Sequence, residues 1–212
     1  MKALLVLNLQ NDFSAFGNMP IPGTDELVPL ANRLQLYFDV AIAVQICYPA
    51  SHKSFAANHL FRQPGKTMMI NGKEQLLAAI HCVHDSFGAN FINGLAIGTI
   101  HKTFSVGTDA AANIYSAFAD EALQHPSGLS EILKDKAIKS VYIMGVNVGD
   151  MLLNTASTAI DLGFETFLIK DACSGLDISP DFFENLNLKG LQLIESKTIE
   201  NNWGNGQKVG YF

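Results

Sequence analysis

Side chains able to do chemistry gather at three places where an apolar run gives way to polar residues. The first, LNLQNDF, carries Asn8 and Asp12 ahead of Phe13. The second, QICYPASH, carries Cys47, Tyr48 and His52, and the third, GVNVGDM, ends on Asp150 and Met151. A carboxylate can act as a base, an imidazole as a base or metal ligand, and a thiol as a nucleophile once ionised. His81, Cys82 and the pair His101-Lys102 lie apart from these ends and could be folded onto them. Each group also has a structural reading. Cys47, Cys82 and Cys173 suit small apolar core positions. Asp12 suits a turn that bonds its own backbone. Asp150 suits a helix N-terminus, where the dipole favours negative charge, with service as a replacement acid the alternative. Met151 suits plain pocket filling, and His59, His84, His101 and His125 read as surface or loop residues.

The elements that position these groups follow from the hydrophobic pattern. Nearly uniform apolar runs at 3–9, 40–46, 141–146, 166–169 and 191–194 predict strands buried on both faces. Segments of helical period at 25–36, 129–136 and 151–162 lie between them. Acids open the first of these and Arg33 lies near its end, matching the dipole. Ala156, Ser157 and Ala159 let the third pack closely, with Gly163 as its C-cap. Ser179-Pro180 predicts the start of the last helix. Residues 49–94 read as loops and short helices, with turn signals at Pro64-Gly65 and Asn71-Gly72. The Gly/Asn-rich tail after Glu195 reads as a strap over the surface or over a neighbouring subunit. The alternation predicts a single domain over 1–212, a three-layer α/β/α fold with a mainly parallel sheet. Ligands of such sheets gather at the carboxyl ends of the strands, where the three polar runs fall.

Composition narrows the partners. The 212 residues suit one large domain with a full core, and 48% apolar with 16% charged residues is ordinary for a globular protein. A net charge of -6 argues against nucleic acid or an anionic membrane surface. The longest apolar runs are of strand length, so no membrane span is expected. The opening ALLVLNL ends in Asn, Gln and Asp without a small-residue cleavage site, which argues against a signal peptide. Three scattered cysteines form neither a disulfide framework nor a CxxC pair, and a reducing cytoplasm is the expected location.

Read in order, these runs resemble the nicotinamidase/isochorismatase-like cysteine hydrolases, and nicotinamidases more than isochorismatases. LLVLNLQNDF is similar to their opening strand, VPLANRL to their first helix, and AVQICYPASHKSFAANH to the loop after their second strand. HCV at 81–83, HK at 101–102, YSAF at 115–118, VYIMGVNVGDMLLNTA and DACSG at 171–175 follow in the same order. Together they span about four-fifths of the chain. The resemblance implies an isochorismatase-like hydrolase fold and assembly as a homo-oligomer.

The resemblance also implies a mechanism that this chain departs from. In the family an Asp takes the proton of a Cys, a Lys supports the charge, and the thiolate attacks an amide carbonyl. Here Asn8 stands for the Asp, Met151 for the Cys, and Lys102 is matched to the Lys. Some isochorismate hydrolases manage without the Cys but retain the Asp. The family metal site, an Asp and three His, is matched by Ile46, Tyr48, His52 and His81, so the metal is expected to be lost and no cofactor is expected. Phe13, Ile46, Tyr48 and Asp150 are expected to line the pocket. Lys102, deprived of its anionic partners, is expected to be solvated, paired with Asp12 or Asp150, or bound to an anion. Three functions fit. The favoured one is a non-catalytic member that binds a small molecule or a protein partner. The others are a hydrolase of a small amide with altered chemistry around Lys102, and a structural, oligomer-forming protein with a closed pocket.

Overall fold

The computed structural model describes residues 1–120, 126–176 and 180–203. Its centre is a six-stranded sheet in the order β5-β2-β1-β6-β7-β8, every neighbouring pair parallel. The strands are β1 (Lys2–Leu7), β2 (Val40–Ile46), β5 (Lys102–Val106), β6 (Ser140–Val146), β7 (Glu165–Ser174) and β8 (Gln192–Ile194). β6 is buried at every position, and β1 and β2 at all but one. That is why they read as unbroken apolar runs: helices cover both faces. The predicted mainly parallel α/β architecture is the one observed.

α1 (Leu27–Leu34) buries Leu27, Val28, Ala31 and Leu34, the stripe expected of a helix lying on a sheet. α5 (Ser196–Trp203) packs on α1 and β7. α3 (Met151–Asp161) lies on β6 and β7 and meets α4 (Pro180–Lys189). α2 (Leu129–Asp135) follows Gly128 and buries Leu129 and Leu133. Gly163 ends α3, its N–H donating to the Ile160 carbonyl at 2.9 Å.

Several expectations need correction. β5 had no place among the expected strands, because Lys102, Thr103 and Ser105 are exposed on this edge and break the apolar run. Residues 49–94, expected to form loops and short helices, also hold an antiparallel hairpin, β3 (Thr67–Ile70) with β4 (Lys73–Leu76), turning on Asn71-Gly72. The first helix is shorter than 25–36, ending in a 3₁₀ turn over Gln35–Tyr37. α4 is not the last helix, since α5 forms from the start of the tail. Ser179, His125 and residues 204–212 of the tail lie outside the described residues. Among those described, no helix is long and apolar enough to cross a membrane.

The topology defines one special crevice. From β1 the chain builds outward through β2 to β5, then returns to place β6, β7 and β8 on the other side. The order therefore reverses between β1 and β6, and ligands of open α/β sheets bind outside the strand ends at such a point. Gly145 lets the two strands meet there: its φ is 124°, and a Cβ would fall 2.0 Å from the Leu7 carbonyl oxygen.

Candidate functional site at the strand switch point

Asn8 follows β1 directly, and Met151 opens α3 a few residues beyond β6. Asn8 leaves the strand at φ 58°, a left-handed conformation that Asn adopts more readily than most residues. Its Nδ2 donates to the Val146 carbonyl at 3.0 Å and to the Met151 sulfur at 3.4 Å. Both side chains are buried, at 0% and 1% exposure. The other amide atom, Asn8 Oδ1, has no hydrogen-bond partner among the described residues. An amide cannot take a proton near neutral pH, and a thioether has none to give. The two groups meet as a base and a nucleophile would, without the chemistry of either.

Gln10, one turn of chain further on, had no assigned role in the sequence. It is fully buried and clamps the crevice. Its Nε2 donates to the Ile46 and Ala89 carbonyls at 2.7 and 2.8 Å, and its Oε1 accepts the Ile46 N–H at 2.8 Å. Asp12 is structural in the same way: its carboxylate accepts the Cys82 N–H at 2.6 Å and the Asn18 N–H at 3.3 Å. Both residues stitch β1's exit to the 81–91 segment.

The positions matched to the family metal site collapse into an aromatic cluster. Tyr48 lies 4.3 Å from His52, 5.6 Å from Phe55 and 5.3 Å from His81 between ring centroids, and Phe13 is 5.9 Å from His81. Ile46 offers no donor atom. His52 has Nδ1 against Ser54 Oγ at 2.8 Å and Nε2 against the Ala112 carbonyl at 3.0 Å, so both ring nitrogens are engaged. His81 Nδ1 meets the Ala79 carbonyl at 2.8 Å. Among the described residues no three His, Cys, Asp or Glu side chains converge on a metal position. These residues do not fit the zinc-type set of carboxylate and imidazole donors.

Lys102 is not in the crevice. It opens β5 opposite Ile42, and Ile42 is level with Leu5 of β1. It therefore lies three residues, about 10 Å, short of the level of Asn8, and it is exposed to solvent. The β5 residue that reaches the carboxyl end is Val106, buried and opposite Ile46. A signal for this was present in the sequence: Val106 precedes Gly107, as the last residue of a strand before its turn. Asp150 is also displaced from its expected part. It occupies the N-cap position of α3 at φ 64°, exposed and without a side-chain capping bond. Asn147 caps instead, its Oδ1 accepting the Leu152 N–H at 3.1 Å.

The electrostatics favour neutral groups throughout. Loss of solvation lowers the pKa of His52 and His81 below the usual imidazole value, only partly offset by their bonds to the Ala112 and Ala79 carbonyls. Burial likewise pushes the Tyr48 phenol and the Cys82 thiol up. Cys47 is raised by burial and by Asp85, and Cys173 is pushed up to about 12 by burial. No cysteine has the lowered pKa that an activated nucleophile requires.

The parallel sheet and the crevice at its switch point agree with a match of residues 2–198 to the Isochorismatase domain, and the chain belongs to that family. Within it the protein is nicotinamidase-like. It is 32% identical to the nicotinamidase of Acinetobacter baylyi over 200 residues, covering 93% of this chain and 94% of that enzyme. It is 34% identical to the nicotinamidase of Escherichia coli over 183 residues, 84% and 85% of the two chains. The solved nicotinamidase/pyrazinamidase of Acinetobacter baumanii superposes with a TM-score of 0.85 at 31% identity, covering 93% of this chain and 97% of that one.

Proposed function

We propose that this chain is a nicotinamidase-like protein that does not cleave amides through a thiolate, and that acts by binding rather than by turnover. The observation that carries this reading is the contact of Asn8 Nδ2 with Met151 Sδ at 3.4 Å inside a sealed crevice. The positions matched to base and nucleophile touch, yet no proton can pass between them. Phe13, Ile46, Tyr48 and Met151 are all buried at the crevice, which favours a role exerted from the outer surface of the fold. The placement of Lys102 on the exposed start of β5 gives no support to a hydrolase organised around it.

Ammonia release from nicotinamide and pyrazinamide tests the reading directly. The purified protein is expected to stay at the buffer background beside an active relative. Saturable release that vanishes in Lys102→Ala would instead establish a hydrolase with altered chemistry.

The same reading includes the absence of a resident metal. It is supported by Ile46, which has no donor, and by the engaged nitrogens of His52. Elemental analysis after purification in zinc should find the metal far below stoichiometric. Stoichiometric zinc lost on His81→Ala would count against it. We also propose a homo-oligomer in the cytoplasm, the location suited to three cysteines that are free in the fold. Light scattering reads the assembly.

A further inference from the structure

We propose that Asn71 is a site of spontaneous deamidation controlled by the fold, and that it converts ahead of the chemically equivalent Asn93. Both residues precede glycine, so no side chain hinders approach of the next backbone nitrogen, and all four residues are exposed. The two turns differ in what holds them. Asn71-Gly72 forms the tip of the β3–β4 hairpin, with φ of 51° and 78°, as a two-residue turn of the primed type requires. Its strands pair with each other outside the six-stranded sheet; Asn113 Nδ2 donates to Gln75 Oε1 of β4 at 2.7 Å, away from the tip, and among the described residues nothing lies within 4 Å of the space beside Gly72. A ribbon of two short strands is marginal in water, and its tip opens locally at little cost.

Asn93-Gly94 is held at several points. The Leu95 N–H donates to the Ile92 carbonyl at 3.2 Å across the turn. Asn32 of α1 then brackets it, donating to the Gly94 carbonyl and accepting the Ala96 N–H, both at 2.7 Å. That turn opens only when its link to α1 is broken. A third pair, Asn205-Gly206, lies outside the described residues.

The chemistry needs only water. The Gly72 nitrogen loses its proton and attacks Asn71 Cγ, forming a C–N bond and closing a five-membered succinimide as ammonia leaves. Water then adds to either ring carbonyl and opens it to aspartate or isoaspartate. The net change is amide plus water to acid plus ammonia, with one negative charge gained at neutral pH. Isoaspartate also lengthens the backbone by a methylene, which a two-residue turn cannot absorb while keeping its register. The hairpin base is joined to the neighbourhood of the aromatic cluster, with the Ala56 N–H on the Ala78 carbonyl at 2.9 Å. Conversion at the tip therefore loosens a segment that helps seal the crevice.

Incubation of the full chain at mildly alkaline pH, followed by peptide mapping with mass spectrometry, tests the proposal. In the folded protein Asn71 is expected to convert several times faster than Asn93, whereas in urea the two rates converge. Asn32→Ala should speed conversion of Asn93 and leave Asn71 unchanged. Equal rates in the folded state, or an Asn71 that stays an amide while the urea sample converts, would overturn it.

Discussion

At the residue scale, the crevice is decided by a few atoms of Asn8 and Met151. A carboxylate at position 8 would need a cation, and Asn8 meets a carbonyl and a thioether instead. Asn8→Asp alone buries an unpaired charge, so its carboxyl pKa rises above the value of the unfolded chain. The variant's loss of stability relative to the parent is therefore small when the carboxyl is protonated, below about pH 4, and grows as pH rises. At neutral pH it should reach about 3 kcal/mol, read from urea midpoints of both proteins at pH 4 and pH 7.5. A fuller reconstruction places Asn8→Asp, Met151→Cys and Val106→Lys together. Its new thiol should react with iodoacetamide at pH 7 about tenfold faster than the thiol of the double variant lacking Val106→Lys, because a nearby cation stabilises the thiolate. If Lys102→Ala slows the double variant instead, Lys102 and not Val106 stands at the thiol.

Elements carry these residues to their places, and the register of β5 shows how much depends on it. Eight ordered motifs make the fold legible, yet the matched pair His101-Lys102 points to the wrong end of a strand. A sequence motif marks neighbourhood along the chain. Parallel pairing with β2 fixes height, putting Lys102 beside Ile42 and Val106 beside Ile46. The closest approach in the sheet is likewise a pairing effect. Gly145→Ala forces a Cβ to within 2.0 Å of the Leu7 carbonyl oxygen at a φ of 124°. It should cost about 3 kcal/mol or more through clash and backbone strain, seen as a lower urea midpoint or lost soluble protein. A variant as stable as the parent would mean that β1 and β6 separate more easily than their register implies.

For the whole molecule, the sealed crevice links stability to pH. His52 and His81 are buried and their folded pKa values lie below that of an unfolded imidazole, chiefly through lost solvation. The unfolded chain therefore binds more protons in that window. Stability is full above about pH 6.5 and falls as pH drops toward the folded values. Urea midpoints at pH 7.5 and 5.5 should show this decline, and His81→Phe should reduce it. A flat profile would mean that the imidazoles are hydrated.

What the sequence determined by itself was the architecture and the residue types at the crevice. Apolar runs of strand length alternating with helical periods leave few alternatives to a parallel sheet between helices, and residue type alone denies Asn8 a proton affinity and Met151 a thiol. The tertiary structure decided which residues meet. Pairing heights set Val106, and not Lys102, at the carboxyl end of β5. Only packing could turn Phe13, Tyr48, His52, Phe55 and His81 into one buried cluster. Periodicity is local and survives in one dimension, whereas register and closure are set by contacts between segments far apart in the chain.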